Sequence, residues 1–185
     1  MTSPTEADSK KHSNLLSDTQ LGILGAIADR IFPPTDTSGA VDIGAVEYIR
    51  IALAGDYVHF LPLYRRGLDA VSDEARAKWN RDFRQLSAED QDSILSDFEA
   101  GAVAGYGEAA EFFETVRYHV LEGVFCEPQY GGNKDMMGWK IVEFPGQQAG
   151  YPDPYINKPV DLAPIAIDTQ NEGNRRESTG NGRRR

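Results

Sequence analysis

The chain has 185 residues, 40% of them hydrophobic, one cysteine and a formal net charge of −10. That length gives one domain with tails, able to bury a core without staples but too short for a dinucleotide-binding domain joined to a substrate domain. A lone Cys126 cannot form an intrachain disulfide, hold an iron–sulfur cluster or attach a c-type haem, and the acidic balance excludes a nucleic-acid binder.

Residues 1–16, opening MTSPTEADSKKHSN, are polar and predict a disordered tail. Lys10 and Lys11 precede a short apolar stretch at residues 21–28, but polar SNLLSDTQ intervenes and Asp29 and Arg30 follow at once. The stretch therefore reads as a helix rather than a signal peptide. No run approaches the roughly 20 apolar residues needed to span a bilayer. Ser17 with Gln20 three residues on forms a capping-box pattern, and Leu21, Leu24, Ala28 and Ile31 fall on one helical face. Pro33 and Pro34 end this helix, and residues 35–39 form a loop.

A second helix is expected over residues 43–54, with Val46, Ile49 and Leu53 inward and Gly55 as its stop. Pro62 suits the first turn of a third, whose stripe of Leu63, Leu68, Val71, Ala75 and Trp79 runs up to Asn80. Phe83 and Leu86 lead into a helix capped by Ser87, with Asp90 in the capping-box position. Ile94, Leu95 and Phe98 give its buried face and Gly101 stops it. After the glycine-rich GAVAGYGE, a long helix covers residues 108–124, with Phe112, Val116, His119, Val120 and Gly123 on one face and Phe113 beside it.

Only residues 140–144 could make a short strand. The architecture is all-α: a bundle of about five helices, then a long ordered loop rich in glycine and aromatics, then an extended C-terminal arm. The helical domain spans residues 17–150. The proline-rich arm covers residues 151–167, with Tyr151 and Tyr155, and residues 168–185 form a polar tail ending in three arginines.

Signatures of catalysis are absent. Gly101, Gly105 and Gly107 do not make a G-x-G-x-x-G turn, and there is neither a phosphate-binding loop nor a G-x-S-x-G elbow. Glu111, Glu114, His119 and Glu122 on the last helix could ligate a metal, since His119 and Glu122 are three residues apart. They lack the second Glu-x-x-His copy that a di-iron bundle uses. A packed, hydrogen-bonded histidine is the competing reading. Cys126 is followed by Glu127, the wrong charge for a reactive thiolate, so a half-buried structural cysteine is expected.

The distinctive segment is EPQYGGNKDMMGWKIVEFPG, residues 127–146. Tyr130, Met136, Met137, Trp139 and Phe144 are large and apolar or aromatic. Gly131, Gly132, Gly138 and Gly146 free the backbone, and Asn133 and Asp135 stabilise turns. Pro128 and Pro145 fix its ends. Two readings stand side by side: a loop that caps the bundle with Trp139 and Phe144 as plugs, and a rigid docking surface.

This segment resembles the P-x-Y-G-G-N-x-D-x-x-G-W-K pattern of the gluconate 2-dehydrogenase subunit 3 family. LGILGAIADRIFPPTDTSGA, the following DIGAVEYI and the FRQLSAEDQDSIL stretch carry the same resemblance, over residues 17–150. It implies a non-catalytic accessory subunit of a heteromeric oxidoreductase that acts on a sugar, sugar acid or polyol. FAD would reside in a large subunit of the glucose–methanol–choline (GMC) type and no cofactor in this chain, with a cytochrome c subunit as a further partner. No catalytic or metal-binding residue is expected. The expected partner-binding face comprises Pro128, Tyr130, Gly131, Gly132, Asn133, Asp135, Gly138, Trp139, Phe144 and Pro145, with the glycines admitting the partner closely. Many members begin with a twin-arginine signal; residues 1–11 carry none, so a cytoplasmic rather than periplasmic location is expected. The alternatives are a stand-alone helical metalloenzyme using Glu111, Glu114, His119 and Glu122, and a scaffold that releases its client after folding.

Overall fold

The computed structural model describes residues 15–146. Ser17 accepts a hydrogen bond from the Gln20 amide, and the Gln20 side chain accepts one from the Ser17 amide. This complete capping box starts α1 (Asp18–Ile31). The buried residues of α1 are Ile23, Leu24, Ile27 and Ala28, so its inner face is turned from the expected one and Leu21 and Ile31 are only half-buried. The reason is that α1 is covered from several sides: it packs against every other helix of the body described below.

The expected helix over residues 43–54 is broken in two. Gly44 adopts φ +96°, a left-handed angle closed to most residues, and separates α2 (Ala40–Ile43) from α3 (Ala45–Ala54). After a 3-10 turn (Val58–Phe60), α4 (Leu61–Trp79) starts with Pro62 in its first turn and ends on Asn80, itself left-handed at φ 52°. A second 3-10 turn (Phe83–Gln85) inserts Phe83 fully into the core. Ser87 caps α5 (Ala88–Glu99) by accepting from the Asp90 amide, and Ile94, Leu95 and Phe98 are its buried face. The last long helix, α6 (Ala109–Phe125), buries Phe112, Val116, His119, Val120 and Gly123 as expected, and α3 lies along it in the most extensive helix pairing among the described residues.

The strand expected at residues 140–144 does not form: α7 (Met137–Ile141) takes its first two residues and a turn follows. A strand needs a neighbour for its backbone groups. Here the amides that a ladder would use turn back locally: the Glu143 amide donates to the Lys140 carbonyl, and the Phe144 amide donates to the Trp139 carbonyl. Nor is residues 127–146 one continuous loop, because two 3-10 turns (Pro128–Tyr130 and Lys134–Met136) precede α7. No strand occurs among the described residues, and the chain is all-α.

A helical body ends at Gly138, and a second unit begins at Trp139. Leu16 is buried, and the Leu15 carbonyl accepts from Arg65 Nε at 2.9 Å, so these two residues of the expected tail are packed against the body. The rest of the N-terminal tail, the proline-rich arm at 151–167 and the C-terminal tail at 168–185 lie outside the described residues. Among the described residues no helix is long and apolar enough to cross a membrane.

Candidate functional site

The turn that follows α6 is built around one side chain. Asn133 is completely buried and sits in the left-handed region at φ 44°, which Asn tolerates better than most residues. Its amide donates to the Gly123 carbonyl at 2.8 Å and its Nδ2 donates to the Cys126 carbonyl at 2.8 Å. Its carbonyl accepts from the Met136 amide and its Oδ1 from the Gly138 amide, both at 2.9 Å. One residue thus satisfies two carbonyls left open at the C-terminal end of α6, the amide that ends the Lys134–Met136 turn and an amide in the first turn of α7. The glycines bring the two backbones together. A Cβ at Gly132 would collide with the Gly123 carbonyl oxygen, and one at Gly138 with the Val124 carbonyl oxygen. Asp135 and Met136 also hold positive φ, 54° and 56°, which the surrounding bonds must enforce.

Beside this turn lies an open cleft of about 480 Å³ between α3 and the Pro128–Tyr130 turn. Tyr48, Ile51, Asp56, Tyr57, Pro128 and Tyr130 are among its lining residues, and none of the lining residues is Lys or Arg. Tyr130 is 57% exposed and Ile51 38% exposed. Two of the phenols are held from below: Tyr48 and Tyr57 donate to the Glu122 carboxylate at 3.0 and 3.1 Å. Burial first, and the Glu122 charge second, push both phenols above their ordinary pKa, so they stay protonated as donors. Glu122 has no Lys or Arg partner among the described residues.

His119 lies beneath Tyr57, the rings stacked with centroids 4.5 Å apart. Its Nδ1 shares a 2.9 Å hydrogen bond with the hydroxyl of buried Tyr64, and Phe60 meets the ring edge-on. Burial lowers its pKa below the ordinary histidine value against the opposing pull of Glu122. His119 is therefore the packed, hydrogen-bonded histidine of the competing reading.

The metal set expected as the alternative is not assembled. Glu114 pairs with Arg117, Glu122 with the two tyrosines and His119 with Tyr64, while Glu111 is exposed. Among the described residues no group of three or more His, Cys, Asp or Glu could hold a metal ion. Cys126 is half-buried, and burial raises its thiol pKa, which removes the thiolate a nucleophile would need.

A family model described as gluconate 2-dehydrogenase subunit 3 matches residues 18–146. The chain belongs to the gluconate 2-dehydrogenase subunit 3 family. No curated protein and no solved structure matches it. The ten residues expected at the partner face divide by exposure. Gly132, Asn133, Gly138 and Trp139 are buried, whereas Tyr130, Asp135 and Phe144 are exposed and Pro128, Gly131 and Pro145 lie between. The close approach that Gly132 and Gly138 permit is to the chain's own α6, not to open space. Trp139 is 4% exposed, and its ring meets that of Phe144 edge-on with centroids 5.1 Å apart. Tyr48, Tyr57 and Tyr64 escaped the sequence reading, since they meet His119 and Glu122 only across 55 to 74 residues of chain. The one available signal was the shared helical face of His119 and Glu122.

Proposed function

We propose that this chain is the non-catalytic accessory subunit of a heteromeric, FAD-dependent oxidoreductase of the GMC type that oxidises a sugar, sugar acid or polyol. Membership of the subunit 3 family across residues 18–146 carries the reading. The flavin and the redox step belong to the large subunit. This chain contributes binding surface and stability.

The geometry favours such a role. The Asn133 turn holds its shape through its own hydrogen bonds, so the exposed Tyr130 and Asp135 beside it are displayed on a backbone already fixed. A surface ordered before binding loses less entropy on association. In this reading Tyr130 and Asp135 meet the partner, while Gly132, Asn133 and Gly138 maintain the platform.

Co-expression with a candidate large flavoprotein subunit from the same organism tests the proposal. The expected outcome is a stable 1:1 or higher complex on gel filtration, with the flavoprotein losing yield and thermal stability when this chain is omitted. A flavoprotein that purifies alone with full yield, stability and activity would falsify it.

A further inference from the structure

The cleft beside the family turn has a chemistry more specific than an apolar dock. Its lining presents three tyrosines, Tyr48, Tyr57 and Tyr130, together with the carboxylate of Asp56 and no cation. Asp56 is exposed and makes no ion pair among the described residues. Beneath Tyr48 and Tyr57 lies Glu122, a half-buried carboxylate whose hydrogen-bond donors are those two phenols alone among the described residues. A phenol that donates to a carboxylate gains electron density on its ring, and the face of an electron-rich ring attracts cations. Aromatic rings, an exposed carboxylate in the lining and a second negative charge bonded to two of the phenols all favour the same visitor.

We infer that this cleft receives an arginine side chain of the large subunit, its guanidinium against the tyrosine rings and paired with Asp56. The inference rests on the proposed role as a subunit and names the chemistry of the contact. Arginine fits better than lysine because its planar, weakly hydrated guanidinium stacks on aromatic faces while its fork meets a carboxylate. The volume of about 480 Å³ admits such a side chain with part of its backbone. An opposite charge on the partner also complements a chain with a net charge of −10.

The test measures affinity of the full-length chain for the co-purified flavoprotein by biolayer interferometry, with variants chosen from exposed residues so that folding is preserved. Asp56→Arg should weaken binding by about tenfold or more, because it sets like charges face to face. Tyr130→Leu should weaken it by about three- to tenfold, whereas Tyr130→Phe, which keeps the ring, should bind within about twofold of the parent. Asp73→Arg, on the exposed side of α4 and away from the cleft, is the control and should bind as the parent does. If Asp56→Arg binds like the parent, or Tyr130→Leu binds like Tyr130→Phe, the inference fails while the subunit role stands. If the parent chain binds no flavoprotein at all, the subunit role fails and the inference with it.

Discussion

A Cβ added at Gly105 or Gly107, between α5 and α6, would meet no atom within 4 Å. The same addition at Gly132 or Gly138, between α6 and α7, would run into a backbone carbonyl of α6. The two segments look alike in composition, yet in one the glycines border open space and in the other they are the condition for contact. Rigidity follows from the second arrangement, because a close backbone approach lets Asn133 bond Gly123, Cys126, Met136 and Gly138 at once. Glycine content alone therefore does not separate a hinge from a clasp; the neighbour across the gap does.

The largest effect that could break this contrast is at the clasp. Gly138→Ala should destabilise the chain by about 3 kcal/mol or more, since the obstructing atom is backbone and cannot swing away. Thermal melting of the isolated subunit measures it, and a melt unchanged from the parent would remove the distinction. Asn133→Asp should cost about 2–3 kcal/mol. It retains the left-handed preference and the acceptor for Gly138 but loses the donor to Cys126 and buries a charge.

A third prediction concerns the wall of tyrosines. The folded pKa of His119 lies below the ordinary value of 6.5 because burial disfavours its charged form. As pH falls below 6.5, the unfolded chain takes up a proton that the folded chain refuses, so stability declines until the folded value is reached and then levels. Denaturant titrations across that range should show this slope in the parent and lose it in His119→Phe. A parent whose stability is flat or rises on acidification contradicts the assignment. The smallest effect belongs to the open segment: Gly107→Ala should be neutral or stabilise by up to about 1 kcal/mol, by restricting the unfolded chain.

Much of the fold is legible in local signals. Ser17 and Ser87 mark helix starts, Pro62 marks a first turn and Asn80 an end, because capping depends on residues three or four positions away. What was not legible depends on distant partners. Gly44 reads as an ordinary helix residue until its left-handed angle splits α2 from α3, and residues 140–144 read as a strand until Asn133 caps a helix that runs through Ile141. The site shows the same division. The family pattern from Tyr130 to Trp139 can be seen in one dimension, but its buried and exposed halves cannot. The tyrosines that gather around His119 and Glu122 come from α3, the turn after it and α4, and nothing in their spacing predicts that they meet.

The central claim is that the family turn is locked by its own chain before any partner arrives. Amide hydrogen exchange of the isolated subunit tests this at single residues. The Asn133 and Gly138 amides, bonded to the Gly123 carbonyl and the Asn133 side chain, should exchange far more slowly than those of Gly105 and Gly107. Exchange of Asn133 and Gly138 as fast as that of Gly105 and Gly107 would contradict the account.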